Sequence, residues 1–229
     1  MSTESVSAPS GRPRLSPVLV LGILGVLTFA LIPVKINTIY GGLPAHPLFL
    51  HVPVILIPVA GVAALALAAR PAWWGRHGVW VTAVAVVALG ALNLTMAAGK
   101  ALRNDLGVPS AAVGGPAALI ARHEHAADLL RIFTILFTAL LIVSLAVYRA
   151  ESGVAVLDGV LARLRDSAAA TIALRAALAV LAALCLYFVF HTGDLGAKAV
   201  WQGRIHGGFG FGGPGGGGSV NSLFGPGGG

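Results

Sequence analysis

Charge is scarce in this chain: Asp, Glu, Lys and Arg make up 10% of its 229 residues, hydrophobic residues make up 57%, and the mean hydropathy is +0.88. Soluble domains carry roughly a quarter charged residues, so this composition excludes an ordinary water-soluble fold and points to an integral membrane protein. Cysteine is almost absent. The one cysteine, Cys185, lies inside an apolar run, which excludes an internal disulfide, a Cys-rich zinc site and a C-x-x-C-H attachment for covalent haem. It reads as a small packing residue. Walker loops, dinucleotide fingerprints and serine-nucleophile elbows are also missing, and the glycines at 207–218 follow no strand and precede no helix. Nothing in the chain marks a substrate for bond-making chemistry or identifies it as an enzyme. Acidic residues number eight against fifteen basic ones, a formal charge of +7. Those basic residues are scattered over segment ends and connections, which suits anionic lipid headgroups rather than nucleic acid.

Long apolar runs are what the chain has in their place. A helix needs about 20 apolar residues to cross a bilayer, and five stretches qualify, near 17–34, 47–69, 78–99, 126–148 and 171–191. The expected fold is all-α, a polytopic transmembrane bundle of five spans. It divides into a disordered N-terminal tail (1–16), an extra N-terminal transmembrane helix (17–36), a four-helix membrane domain (42–203) and a Gly-rich disordered tail (204–229). The first span follows Arg12 and Arg14 like a secretion signal. Its length and the lack of a small-x-small cleavage site at Val34-Lys35-Ile36-Asn37 mark it as retained. The final tail is too poor in core-forming residues to offset its backbone entropy.

Pro53 and Pro58 are expected to kink or loosen the second span. Trp73, Trp74 and Trp80 gather at the following turn with Arg70 and Arg76, where amphipathic rings settle at headgroup level. Residues 154–165 alternate as an amphipathic stretch suited to the membrane surface. The 100–122 segment, rich in Gly, Pro and Ala, reads as a long connection that caps one end of the bundle. Arginines weigh slightly toward the N-terminal side of the membrane, which predicts a cytoplasmic N-terminus and an external C-terminus.

An up-and-down bundle brings His46, His51, His123 and His191 to one membrane face, and ionisable groups at that depth are functional candidates by default. His46 and His51 lie five residues apart, about 140° around a helix. Being one turn deeper, His51 is the first choice to point inward, with His46 at the helix start. His123 and His125 flank a stripe of Glu124, Asp128, Arg131 and Thr138 on opposite sides. Asp128 and Arg131 are spaced for an i,i+3 ion pair, and Lys100, on a helical stripe with Asn93, Met96 and Arg103, is spaced to meet Glu124 or Asp128. Tyr187, His191, Asp194 and Lys198 share a face if their helix continues past Gly193 and Gly196, where a break is plausible. His77, beside Arg76 and the tryptophans, takes an interfacial role at the other end, and His206 stands at the mouth of the final tail.

The stretch Gly42-Leu43-Pro44-Ala45-His46-Pro47-Leu48-Phe49-Leu50-His51-Val52-Pro53 resembles the opening of a family of bacterial four-helix membrane proteins, domain of unknown function 2231. Its His-Pro, second histidine and following proline match His46, Pro47, His51 and Pro53. Arg122-His123-Glu124 resembles the family's histidine at the start of its third helix, and Gly193-Asp194-Leu195-Gly196 its late glycine motif. The resemblance implies a membrane fold in the bacterial inner membrane and no particular reaction.

Three functions fit the histidine face. One is a b-type haem held by His51 and His123, with His46 and His191 in reserve, exchanging electrons with a quinone or a redox partner protein. The second is a transition-metal site built from His51, His123, His125, Asp128 and Asp194. The third is a non-catalytic accessory subunit whose histidines stabilise the bundle or sense pH.

Overall fold

In the computed structural model, the described residues are 15–34, 38–39, 43–109 and 114–201. The expected tails, including the whole Gly-rich segment with His206, lie outside them apart from Leu15 and Ser16.

The apolar runs form helices α1 (Pro17–Leu27), α2 (Ala45–Phe49), α3 (His51–Ala69), α4 (Trp74–Asp105), α5 (Gly115–Arg149), α6 (Ala155–Asp166) and α7 (Ala168–Trp201). Two dipeptides, β1 (Thr38–Ile39) and β2 (Leu43–Pro44), pair antiparallel just before α2. Among the described residues, four spans are long and apolar enough to cross a membrane: Ala45–Ala69, Pro71–Asp105, Ala117–Arg149 and Ala168–Trp201. The first of the five expected spans is shorter. Its α-helix ends at Leu27 and a 3-10 turn carries it to Leu31, about 24 Å in all against a hydrocarbon core of about 30 Å.

Proline explains the division between α2 and α3. Pro53 has no N–H to donate to the carbonyl of Phe49, one turn back. The break falls at Leu50, which keeps helical angles and lets Val54 N–H bond its carbonyl at 3.2 Å. Pro58 sits inside α3 without ending it.

The expected 100–122 connection is mostly helix. α4 runs on to Asp105 and α5 begins at Gly115. Gly114 and Gly115 stand at φ +86° and +61°, a region open to glycine at little cost, and they turn the chain directly into α5. Likewise α7 does not break at Gly193 or Gly196 but continues to Trp201. Packing of α7 along α5 supports the helix here, and two isolated glycines, each costing about 1 kcal/mol relative to alanine, do not outweigh it.

α4 is the central helix, packed against α1, α2, α3 and α5, while α7 closes the bundle against α3 and α5. The core between them holds Ile57, Trp74, Phe137, Leu141, Leu145, Leu178 and Cys185, each at most 1% exposed. Small residues let the backbones approach, as they do in membrane bundles generally. A Cβ on Gly61 would stand 3.2 Å from Leu186, and one on Gly78 would stand 2.9 Å from Leu145. α1 is tied in through a polar contact: buried Asn93 of α4 donates its Nδ2 to the carbonyl of Thr28 at 3.0 Å. Outward-facing Val62, Val87, Ile172 and Phe190 are more than half exposed, as a lipid-facing surface requires.

The end of the bundle away from α2 carries the basic and aromatic belt. The Arg70 guanidinium lies 4.9 Å from the Trp73 ring centre, Trp74 stacks on Tyr148 at 5.0 Å, and Arg175 donates to the carbonyl of Ala68. The amphipathic stretch forms α6 at this end with none of its residues buried, and Val156 and Val160 stand on its open side.

Candidate functional site

The alternating helices place the start of α2, the ends of α4 and α7 and the start of α5 at one end of the bundle. Two histidines meet there in the same way. His46 of α2 bonds through Nδ1 to the carbonyl of Thr95 on α4 at 3.0 Å. His123 of α5 bonds through Nδ1 to the carbonyl of Thr192 on α7 at 2.8 Å.

In each case a glycine one turn further along opens the path. A helical carbonyl points toward residue i+4, so a side chain there shields it. Gly99 and Gly196 lack that side chain, and the imidazoles occupy the space. A Cβ on Gly99 would lie 2.9 Å from His46 Nδ1, and one on Gly196 would lie 3.0 Å from His123 Cε1. The two ring centres are 6.2 Å apart with their planes at 83°. Because a carbonyl only accepts, both Nδ1 atoms carry a proton, and in the neutral ring this leaves the lone pair on Nε2.

Thr95-x3-Gly99 and Thr192-x3-Gly196 are therefore the same device used twice, once in each half of the chain. Sequence reading passed over it, although the repeat of a histidine answered by Thr-x3-Gly in the next long apolar run is visible in the residues. The expected inward residue, His51, points elsewhere. It is exposed, and its Nδ1 lies 3.4 Å from the carbonyl of Leu48 on its own turn. The face of α2 that packs on α4 carries His46, and the 140° offset turns His51 away from it. Depth along the helix was the wrong criterion; contact with α4 decides the direction.

His125 and His191 are exposed and line a groove between α5 and α7. His191 stacks on Tyr187 at 5.7 Å, on the shared face expected for them. His77 sits edge-on to Trp73 at 6.1 Å, at the opposite end. The proposed metal ligands His51, His123, His125, Asp128 and Asp194 do not converge: among the described residues no three His, Cys, Asp or Glu side chains are grouped to hold an ion.

The carboxylates have other partners. Asp128 pairs with Arg131 at 3.2 Å, as the i,i+3 spacing predicts, and Asp194 pairs with Lys198 at 2.7 Å. Glu124 meets Arg103 rather than Lys100. Arg103 stands one turn beyond Lys100 on the stripe read from the sequence, and it is Arg103 that α4 carries to Glu124, leaving Lys100 exposed. The Arg103 and Glu124 side chains are only 20% and 24% exposed, and buried Arg103 Nε has no acceptor. Removing Glu124 thus strands a half-buried cation. Glu124→Ala should lower stability by about 1–3 kcal/mol once solvent screening is allowed for, read as a lower melting temperature in detergent, with Glu124→Gln losing less. A change within about 0.5 kcal/mol would place the pair with ordinary surface ion pairs.

Residues 42–208, more than half of the chain, match a family described as Predicted membrane protein (DUF2231). No curated protein and no solved structure matches the chain significantly.

Proposed function

The chain belongs to the DUF2231 family of predicted membrane proteins, and within that multi-pass setting we propose that His46 and His123 are the axial ligands of a b-type haem in an electron-transfer module. The observation that carries this reading is the pair of Nδ1–carbonyl bonds. Holding a ligating imidazole through its other nitrogen sets its tautomer and orientation and raises its basicity.

Ligand number favours haem over a bare ion in this reading. A bare ion of the zinc type draws on three or four protein ligands, whereas haem iron brings four nitrogens of its own and takes axial side chains from the protein. Two imidazoles from facing helix pairs suit the second case. Spacing supports it as well: an ion about 2 Å from each Nε2 holds ring centres about 6 Å apart, and the observed separation is 6.2 Å. Haem in such a site supplies one-electron transfer. The partner is a quinone or a redox protein, and the basic far end, with Arg70, Arg76, Arg149, Arg163, Arg165 and Arg175, favours a bacterial inner-membrane orientation with the histidine end outward.

The full chain, purified in mild detergent from haem-replete cells, should show a Soret band of low-spin, six-coordinate type and about one haem per protein. Folded protein without such a band would sink the reading. It would move the weight to an accessory subunit in which the same two bonds act as latches, tying α2 to α4 and α5 to α7.

A further inference from the structure

On the outer side of α5 and α7, a groove of about 580 Å³ opens beside the histidine pair. This is within the range of small-molecule sites. Arg122, His125 and His191 form its polar part, and Ala126, Leu129 and Phe188 line its apolar part. We propose that this groove binds an anionic phospholipid, with the phosphate at Arg122, His125 and His191 and the start of an acyl chain along Leu129 and Phe188.

Three observations carry the assignment. First, α5 and α7 have 35 and 34 residues, longer than the roughly 20 that the hydrocarbon layer needs. Their apolar runs begin at Ala126 and end at Phe190, so the polar part of the groove stands at headgroup level and the apolar part reaches into the acyl region. Second, the neighbouring carboxylates are all engaged. Glu124 holds Arg103, Asp128 holds Arg131 and Asp194 holds Lys198. Arg122 pairs with none of the carboxylates among the described residues, and none of the groove's lining residues is acidic. Third, the polar groups are a guanidinium and two imidazoles, a set that donates to phosphate oxygens and offers no anion to a choline or ethanolamine group. Basic pockets between membrane helices recognise anionic headgroups on this principle.

The test uses the delipidated full chain in neutral detergent, titrated separately with dioctanoyl phosphatidylglycerol, dioctanoyl phosphatidylcholine and inorganic phosphate, with melting temperature as the readout. Phosphatidylglycerol should raise it saturably, phosphatidylcholine should need at least tenfold more, and phosphate alone should leave it unchanged. Arg122→Gln should weaken the phosphatidylglycerol response at least tenfold, as should Ala121→Trp, which fills the groove from its wall. Arg165→Gln, on α6 at the other end, should respond as the wild type does. Equal responses to the two lipids, an undiminished response in Arg122→Gln or Ala121→Trp, or saturation by phosphate alone would each overturn the proposal.

Discussion

His46→Ala and His123→Ala should each abolish the low-spin haem spectrum and cut haem content at least tenfold, while His51→Ala and His77→Ala leave both unchanged. In the proposed site each imidazole would hold the haem from one side, and each is aimed by a single carbonyl, Thr95 for His46 and Thr192 for His123. On that proposal, losing either would remove one of the two side chains that hold the haem, a change the absorption spectrum reports. The four variants also separate the two possible pairings on the histidine face, because His51 is exposed and held only by its own turn. Absorption spectra and pyridine haemochrome assay of monodisperse protein are the measurements. Full occupancy in His46→Ala with loss in His51→Ala would falsify the geometric assignment and restore the deeper histidine as the ligand.

Gly99→Val and Gly196→Val should damage the same site without touching a histidine. A Cβ at residue 99 would stand 2.9 Å from His46 Nδ1, and one at residue 196 would stand 3.0 and 3.1 Å from His123 Cε1 and Nδ1. The ring has to leave its carbonyl to make room. Forcing extra atoms into a packed contact costs about 1–3 kcal/mol, and losing the hydrogen bond adds about 0.5–1.5 kcal/mol. Gly193→Val is the control, because a Cβ there meets nothing within 4 Å and the three variants share the same change in helix propensity. Thermal unfolding should rank both site glycines well below Gly193→Val, with haem content falling in parallel. If Gly99→Val proves as stable as Gly193→Val, the contact is not the constraint described here.

Much of the molecule was legible without coordinates, because the bilayer imposes a length and a composition on whatever crosses it. Apolar runs of about twenty residues became the four long helices, residues 154–165 became α6, and Asp128 found Arg131 because i,i+3 neighbours meet on any helix. These features depend on residues close together in the chain. The exact reach of α4, α5 and α7 did not follow so simply, since glycine and polar residues near a helix end are compatible with either helix or loop, and tertiary packing settles which.

The sequence carries the repeated histidine and Thr-x3-Gly pattern, but the pairing of the two histidines was decided by the fold. Depth favoured His51, but direction is set by which face of α2 lies on α4, and that face carries His46. Likewise Lys100 and Arg103 both lie beyond the apolar run of α4, and helix packing rather than spacing brings Arg103 to Glu124. A sequence specifies periodicity, length and local pairing directly, through interactions within one or two helical turns. Which ring meets which carbonyl across 49 or 69 residues of chain is decided by helix rotation and register, and those are set only when every helix has packed against its neighbours.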